Sequence, residues 1–168
     1  LDLGAVRLVH ACWDPQAMTG LGRPHLETDD FHAASERDSD PYIWVENLCK
    51  GPEVQLPHGH EFVDKDGHHR DRARFRWWDA GENTYEVACE VPHGVTLPNL
   101  PIDDPPVAGY DHDVPVLFGH YWRRWPDHDL TERTACIDYS AVKGGPLVAY
   151  RWSGESLLST SNLVGCVR

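Results

Sequence analysis

Short apolar runs separated by polar loops dominate the pattern of this chain. Residues 3–10 and 114–120 are two such runs of strand length, and the second stops at a Gly-His pair. Runs of this kind are typical of buried strands. Each predicted strand has a histidine at its carboxyl end, His10 in the first and His120 in the second. Because open α/β sheets bind ligands at the carboxyl ends of their strands, both histidines lie where a site is expected.

Helical patterns are few. A helix is predicted over residues 40–49, with Asp40 as its N-cap, Pro41 in its first turn and Gly51 as its stop. A weaker helical signal follows Thr28. Two stretches rich in Pro, with Gly or Asp, are predicted to be loops: 15–27 and 92–115.

A β-hairpin is predicted in the middle of the chain. Residues 61–64 form its first strand and Lys65-Asp66-Gly67 its turn. The return strand alternates cleanly, so we expect one buried set and one more exposed set: Ala73, Phe75 and Trp77 against Arg72, Arg74 and Arg76. Later strands are predicted over 84–91, 134–139, 146–152 and 163–167, with 146–152 as the return of 134–139 after a turn at Gly144-Gly145.

Composition narrows the classes of function. The chain has 168 residues, enough for one domain, and a formal net charge of -12. This charge argues against a nucleic-acid backbone as a partner, and a mean hydropathy of -0.52 argues against a membrane span. The five cysteines are scattered and form no Cys-x-x-Cys pair, which favours reduced, structural thiols and a cytoplasmic location.

His10 and His120 form the candidate metal site. Neutral imidazole is the commonest metal-binding side chain, so two strand-end histidines can converge on one ion. The alternative is a pair of hydrogen-bonded core histidines. A catalytic ion needs three or four protein ligands, and Asp138 is the nearest candidate for a third, although it could equally cap the turn that follows it.

Two arginines of the alternating strand, Arg74 and Arg76, are candidate phosphate ligands, because guanidinium groups bind phosphate in a bidentate manner. The alternative is a solvated face that pairs with nearby carboxylates. The segment that begins at Asp64 is not a calcium loop, because the sixth position is His69 and the twelfth is Phe75. No nucleophile elbow, P-loop or dinucleotide fingerprint occurs.

One family resemblance runs along the chain in order. Its strongest part is Phe118-Gly119-His120-Tyr121-Trp122, followed by the stretch 135–152, and Val9-His10-Ala11 adds a match near the start. The sequence resembles the carboxyl-terminal half of calcineurin-like metallophosphoesterases, in the bacterial branch near diadenosine tetraphosphatases and serine/threonine phosphoprotein phosphatases. Trp122 stands where many members have a second histidine. The family's Asp-x-His, Gly-Asp-x-x-Asp-Arg-Gly and Gly-Asn-His-Asp/Glu motifs do not occur.

The resemblance implies an α/β (α+β) fold, the carboxyl-terminal half of a four-layer αββα sandwich, with residues 1–168 as a partial domain. It implies a site with two divalent ions, which would be Mn, Fe or Zn, and His10 and His120 would coordinate one of them. It also implies that a metal-activated hydroxide hydrolyses a phosphate ester of a small molecule or a protein. The missing motifs would precede His10, so a fragment inactive by itself is expected. The alternative is a non-catalytic binding or structural module of the same fold.

Overall fold

The computed structural model describes residues 1–23, 25–64, 67–79, 81–107 and 109–166. The fold is mixed α/β, with few helices and several small sheets. The helices of the described residues are α1 Pro15–Leu21, α2 Thr28–Ala33, α3 Asp40–Lys50 and α4 Tyr85–Ala88. Their strands are β1 Arg7–Val9, β2 Glu53–Gln55, β3 Phe62–Val63, β4 His69–Arg70, β5 Arg72–Phe75, β6 Cys89–Glu90, β7 Val116–Phe118, β8 Thr134–Cys136, β9 Leu147–Tyr150 and β10 Leu163–Cys166.

The chain forms two compact units. The first comprises Leu1–Lys50 and Asp111–Arg168, and the second comprises the intervening Gly51–Tyr110. The assignment of all 168 residues to one partial metallophosphoesterase domain stays a prediction. In the described part of the chain, no helix has the length and apolar character needed to cross a membrane.

A parallel three-stranded sheet organises the first unit, in the order β1-β7-β8. The central strand, β7, is buried along its whole length, as its uninterrupted apolar sequence predicts. Both predicted strands 3–10 and 114–120 are therefore confirmed in their cores, although the regular pairing is shorter at each end. Phe118 lies opposite Val9 on one side and Cys136 on the other, so the three strands end level with one another.

Apolar side chains of the first unit pack in two groups. The first contains Val6, Leu117, Ala135 and Leu158, so it includes residues of β7 and β8. The second contains Tyr139, Val148 and Leu163, so it includes residues of the antiparallel pair β9-β10. The first group therefore stabilises the parallel sheet.

The region predicted as a loop over 15–27 contains helix α1, so that prediction was wrong. Asp14 caps α1: its Oδ1 accepts hydrogen bonds from the backbone N–H groups of Gln16 (2.8 Å) and Ala17 (3.2 Å). Pro15 then occupies the first helical position, which suits its fixed φ. The Asp-Pro start outweighs the Gly and Pro content that favoured a loop.

Helix α3 confirms the helix predicted over 40–49, with one change at its start. The cap is Ser39 rather than Asp40, because the Oγ of Ser39 accepts a hydrogen bond from the backbone N–H of Tyr42 at 3.3 Å. Asp40 instead lies in the first turn, where a carboxylate is stabilised by the helix dipole. The weaker signal after Thr28 corresponds to α2.

The carboxyl-terminal hairpin was predicted with the wrong partner. β9 does not return along β8; it pairs with β10 in antiparallel register, Leu147 opposite Cys166. The turn at Gly144 and Gly145 exists, but a 3-10 helix over Ala141–Lys143 precedes it. A Cβ on Gly145 would lie 1.8 Å from the carbonyl oxygen of Tyr139, so this close backbone approach requires glycine.

The second unit contains the sheet β2-β5-β6 and the small hairpin β3-β4. The predicted alternation of β5 is confirmed: Ala73, Phe75 and Trp77 are buried, whereas Arg72 is exposed and Arg74 and Arg76 are partly exposed. Its role as the return strand was wrong. β3 pairs with β4 instead, because the chain bends at Asp71 and the carbonyl of Asp71 accepts the backbone N–H of Leu56.

Two further predictions concern the second unit. Lys65 and Asp66 of the predicted hairpin turn lie outside the described residues. The strand predicted over 84–91 was only partly right, since its first half is the single helical turn α4 and only β6 is extended.

Candidate metal-binding histidines at the sheet edge

The parallel sheet brings His10 and His120 together. His10 directly follows β1 and His120 follows β7 after one residue, Gly119, and the two strands are paired with Val9 opposite Phe118. The backbone N–H of Gly119 donates to the carbonyl of His10 at 3.0 Å and extends the ladder beyond the last paired residues. The prediction that both histidines lie at the carboxyl ends of strands is therefore confirmed, and the two strands are neighbours.

The two imidazole rings lie side by side. Their centroids are 5.2 Å apart, and the ring planes are inclined at 59°. His10 is exposed and His120 is half-buried, so solvent reaches the pair. The alternative of two histidines enclosed in the core does not fit this exposure.

The backbone of His120 is strained. Its φ of +69° lies in the left-handed region, which non-glycine residues seldom adopt. Asp138 holds this conformation: its Oδ2 accepts the backbone N–H of His120 at 3.1 Å, and its Oδ1 accepts the N–H of Ser140 at 2.9 Å. Strain of this kind persists only where neighbours enforce it, and it is concentrated at functional sites.

Of the two roles considered for Asp138 from the sequence, metal ligand or cap of the following turn, the hydrogen bonds match the cap. Both of its carboxylate oxygens bind backbone N–H groups, so it caps the turn after β8. Within the described ranges, no group of three or more His, Cys, Asp or Glu side chains could hold a metal ion. The histidine pair is therefore the candidate donor set.

The nearby thiols do not add ligands. All five cysteines are free, and Cys12 and Cys136, which follow β1 and end β8, are fully buried. Burial raises the pKa of Cys12 well above its usual value and that of Cys136 to about 11. Because metals bind the thiolate form, the raised pKa values make these buried thiols less favourable ligands than the imidazoles.

The arginine face of β5 pairs with carboxylates. Arg74 lies 3.7 Å from Glu53, and Arg76 lies 3.6 Å from Glu90 and 3.9 Å from Asp79. These ion pairs match the alternative of a solvated, paired face. The phosphate role of Arg74 and Arg76 stays a prediction.

The structure adds a feature that the sequence patterns did not indicate, a cavity of about 180 Å³ beside His10. Its walls come from β1, α1, the segment after α1 and α3, and they are mostly apolar: Leu8, Trp13, Met18, Leu21, Leu26 and Leu48. The signal that could have indicated this cavity is the Asp14-Pro15 helix start. The sequence prediction treated the segment as a loop, and α1 forms one of the cavity walls.

Comparison of the chain with protein families, curated proteins and solved structures finds no match.

Proposed function

We propose that this chain supplies the histidine pair of a metal-dependent phosphoesterase, with His10 and His120 as ligands of one divalent ion. The juxtaposition of these two imidazoles at the ends of adjacent parallel strands is the observation that carries the proposal. The resemblance to calcineurin-like metallophosphoesterases, which extends in order along the chain, adds the reaction class. A four-layer sandwich completed around the β1-β7-β8 sheet is part of the same proposal.

The separation of the two rings supports their sharing one ion. Two imidazoles on one tetrahedral zinc, with Zn–N bonds of about 2.1 Å, have ring centres roughly 5 Å apart. The rings of His10 and His120 are separated by 5.2 Å. Imidazole is a suitable ligand for zinc and iron, and manganese favours additional oxygen ligands.

A divalent ion at this edge would supply Lewis acidity toward a phosphoryl oxygen. The protein's own contribution is to fix the ligands. The hydrogen bond from His120 to Asp138 sets the backbone of that histidine, and the ladder bond from Gly119 fixes the carbonyl of His10 next to it. Such preorganisation lowers the entropy lost when an ion binds.

The alternative is a non-catalytic binding or structural module. The number of candidate ligands favours this alternative, because no third His, Cys, Asp or Glu joins the histidine pair among the residues that the structure describes. A measurement of metal binding to the histidine pair distinguishes the phosphoesterase from the non-catalytic module.

The first experiment is a Zn²⁺ titration read by the imidazole ¹H–¹⁵N resonances of individual histidines. We expect His10 and His120 to respond together, at lower Zn²⁺ than the exposed histidines near the β3-β4 hairpin. His10→Ala and His120→Ala should each weaken binding at this site by at least about tenfold, and the double variant should be little worse than either, because ligands of one ion are strongly coupled. The exposed His93→Ala is the matched control.

The second experiment addresses phosphate. Inorganic phosphate should bind the Zn²⁺-loaded chain and should not bind the metal-free chain or His120→Ala. Absence of Zn²⁺ binding at the pair would reject the phosphoesterase proposal and leave the module. Zn²⁺ binding without any response to phosphate would make the pair a structural metal site.

A further inference from the structure

The cavity beside His10 has the size and lining of a ligand site. It has a volume of about 180 Å³ and lies entirely within the first unit. An apolar cavity of about 150 Å³ is large enough to bind benzene. Among its lining residues, Trp13 and Leu48 are almost completely buried, whereas Leu8, Met18 and Leu26 are only partly buried. The space therefore fits a single aromatic ring or a short branched alkyl group.

One charged side chain also lines the cavity. The guanidinium of Arg23 contacts Asp30, and its Nε lies 3.9 Å from Glu27 Oε2. Its charge is therefore offset by two carboxylates beside the apolar walls.

His10 connects the cavity to the candidate metal site. The same residue lines the cavity and lies 5.2 Å, ring to ring, from His120. A molecule with its ring among the apolar walls would thus place a polar substituent next to the histidine pair.

We propose that this cavity binds the leaving group of the substrate, and that the substrate is a phosphate monoester of a small aromatic or branched apolar alcohol. The inference rests on the proposed phosphoesterase function for the position of the phosphate. It selects against a phosphoserine peptide, whose leaving group is a short polar side chain on an extended backbone. The free energy gained when an apolar ring is buried among the apolar walls favours such a substrate over the peptide.

The test compares phenylphosphonate with methylphosphonate, two non-hydrolysable analogues that differ in the ring alone. Binding is followed by backbone ¹H–¹⁵N shifts of the chain, with and without Zn²⁺. We expect phenylphosphonate to bind at least about tenfold more tightly and to shift the amides of Leu8, Leu26 and Leu48. Equal affinity for the two phosphonates would overturn the inference.

Variants localise the effect. Leu26→Trp should fill the cavity and remove most of the preference for the ring, whereas Leu157→Trp, at a half-exposed position outside the cavity, should not. Met18→Phe fills the same space by a smaller increment and serves if Leu26→Trp does not fold. An unchanged ring preference in both cavity-filling variants would refute the site.

The two proposals fail in different ways. If Zn²⁺ binds to the pair but the ring gives no advantage, the leaving-group inference is wrong and the metal proposal stands. If the ring is preferred without Zn²⁺ and no Zn²⁺ binds to His10 and His120, the leaving-group role is overturned, although the cavity binds apolar ligands.

Discussion

At the scale of single residues, Asp138 has the clearest consequence for the site. It joins two left-handed residues, His120 and Ser140, through their backbone N–H groups. Each such residue would otherwise tend to relax towards a more common backbone conformation. The carboxylate therefore positions the backbone of the histidine.

Asp138→Ala is expected to lower the free energy of unfolding by about 1–3 kcal/mol, because two partly buried N–H groups lose their acceptor. It should also weaken Zn²⁺ binding at the His10 and His120 pair. Urea denaturation and the imidazole titration measure the two effects. The exposed Asp127→Ala is the control, and equal behaviour of the two variants would contradict the positioning role.

The buried thiols predict a pH dependence. Burial raises the pKa of Cys89 to about 12 and that of Cys136 to about 11, compared with about 8.5 in an unfolded chain. Above about pH 8.5 the unfolded state loses protons that the native state retains, so stability falls as the pH rises towards these values. The urea midpoint, measured under reducing conditions from pH 8 to pH 10, should decrease.

Cys89→Ala and Cys136→Ala should each make this decrease shallower. Cys166→Ala should not, because Cys166 is exposed. A slope that is the same in all three variants would show that other groups cause the pH dependence.

At the scale of elements, Asp14 connects two helices. Its Oδ1 caps α1, and its Oδ2 accepts a hydrogen bond from Asn47 of α3 at 2.7 Å. Asp14 is buried, with only 6% of its surface exposed, so the loss of either partner leaves a polar group in a poorly solvated place. Since α1 and α3 both line the cavity beside His10, the pair also maintains that wall.

Asp14→Ala is expected to destabilise the chain by roughly 2–3 kcal/mol, the sum of a lost cap and an unsatisfied Asn47 amide. Asn47→Ala should cost less, because the cap remains. Chemical denaturation of the two single variants and the double variant measures their coupling. Strictly additive effects would show that the 2.7 Å contact contributes nothing.

The sequence predicted the elements whose pattern is local and failed where distant contacts decide. The strands that lead to His10 and His120, the α3 helix and the alternation around Phe75 follow directly from apolar periodicity. The pairing of β9 with β10 depends on the packing of Val148 against Leu163, which no short window reveals. The cavity was missed for a local reason, since the Asp14-Pro15 start of α1, which forms one of its walls, was not recognised.

At the scale of the whole molecule, the net charge favours the binding of divalent cations, whereas the number of candidate ligands argues against a two-metal site. A net charge of -12 attracts divalent cations to the surface. A two-metal site also needs a carboxylate that bridges the ions, and in the described ranges no cluster of three or more candidate ligands exists. Metal binding and catalysis are therefore separate expectations.

We expect this chain by itself to show no metal-dependent hydrolysis of p-nitrophenyl phosphate with added Mn²⁺. One ion held by two imidazoles leaves most of its coordination to water and has no second cation to share the charge on the phosphoryl group. A colorimetric assay, with His120→Ala beside the unaltered chain, tests this. Turnover that needs Mn²⁺ and disappears in His120→Ala would contradict the prediction.

The parallel pairing of β1 with β7 has a consequence for the order of folding. Val9 and Phe118 are neighbours in the sheet but 109 residues apart in sequence, whereas Phe118 and its partner in β8, Cys136, are 18 residues apart. Closing so long a loop costs conformational entropy before any favourable contact offsets it, so pairings of this kind form slowly. We therefore expect β7 and β8 to associate first and β1 to dock late. The two imidazoles then meet only at the end of folding, so partly folded chains would not yet offer the paired ligands to an ion.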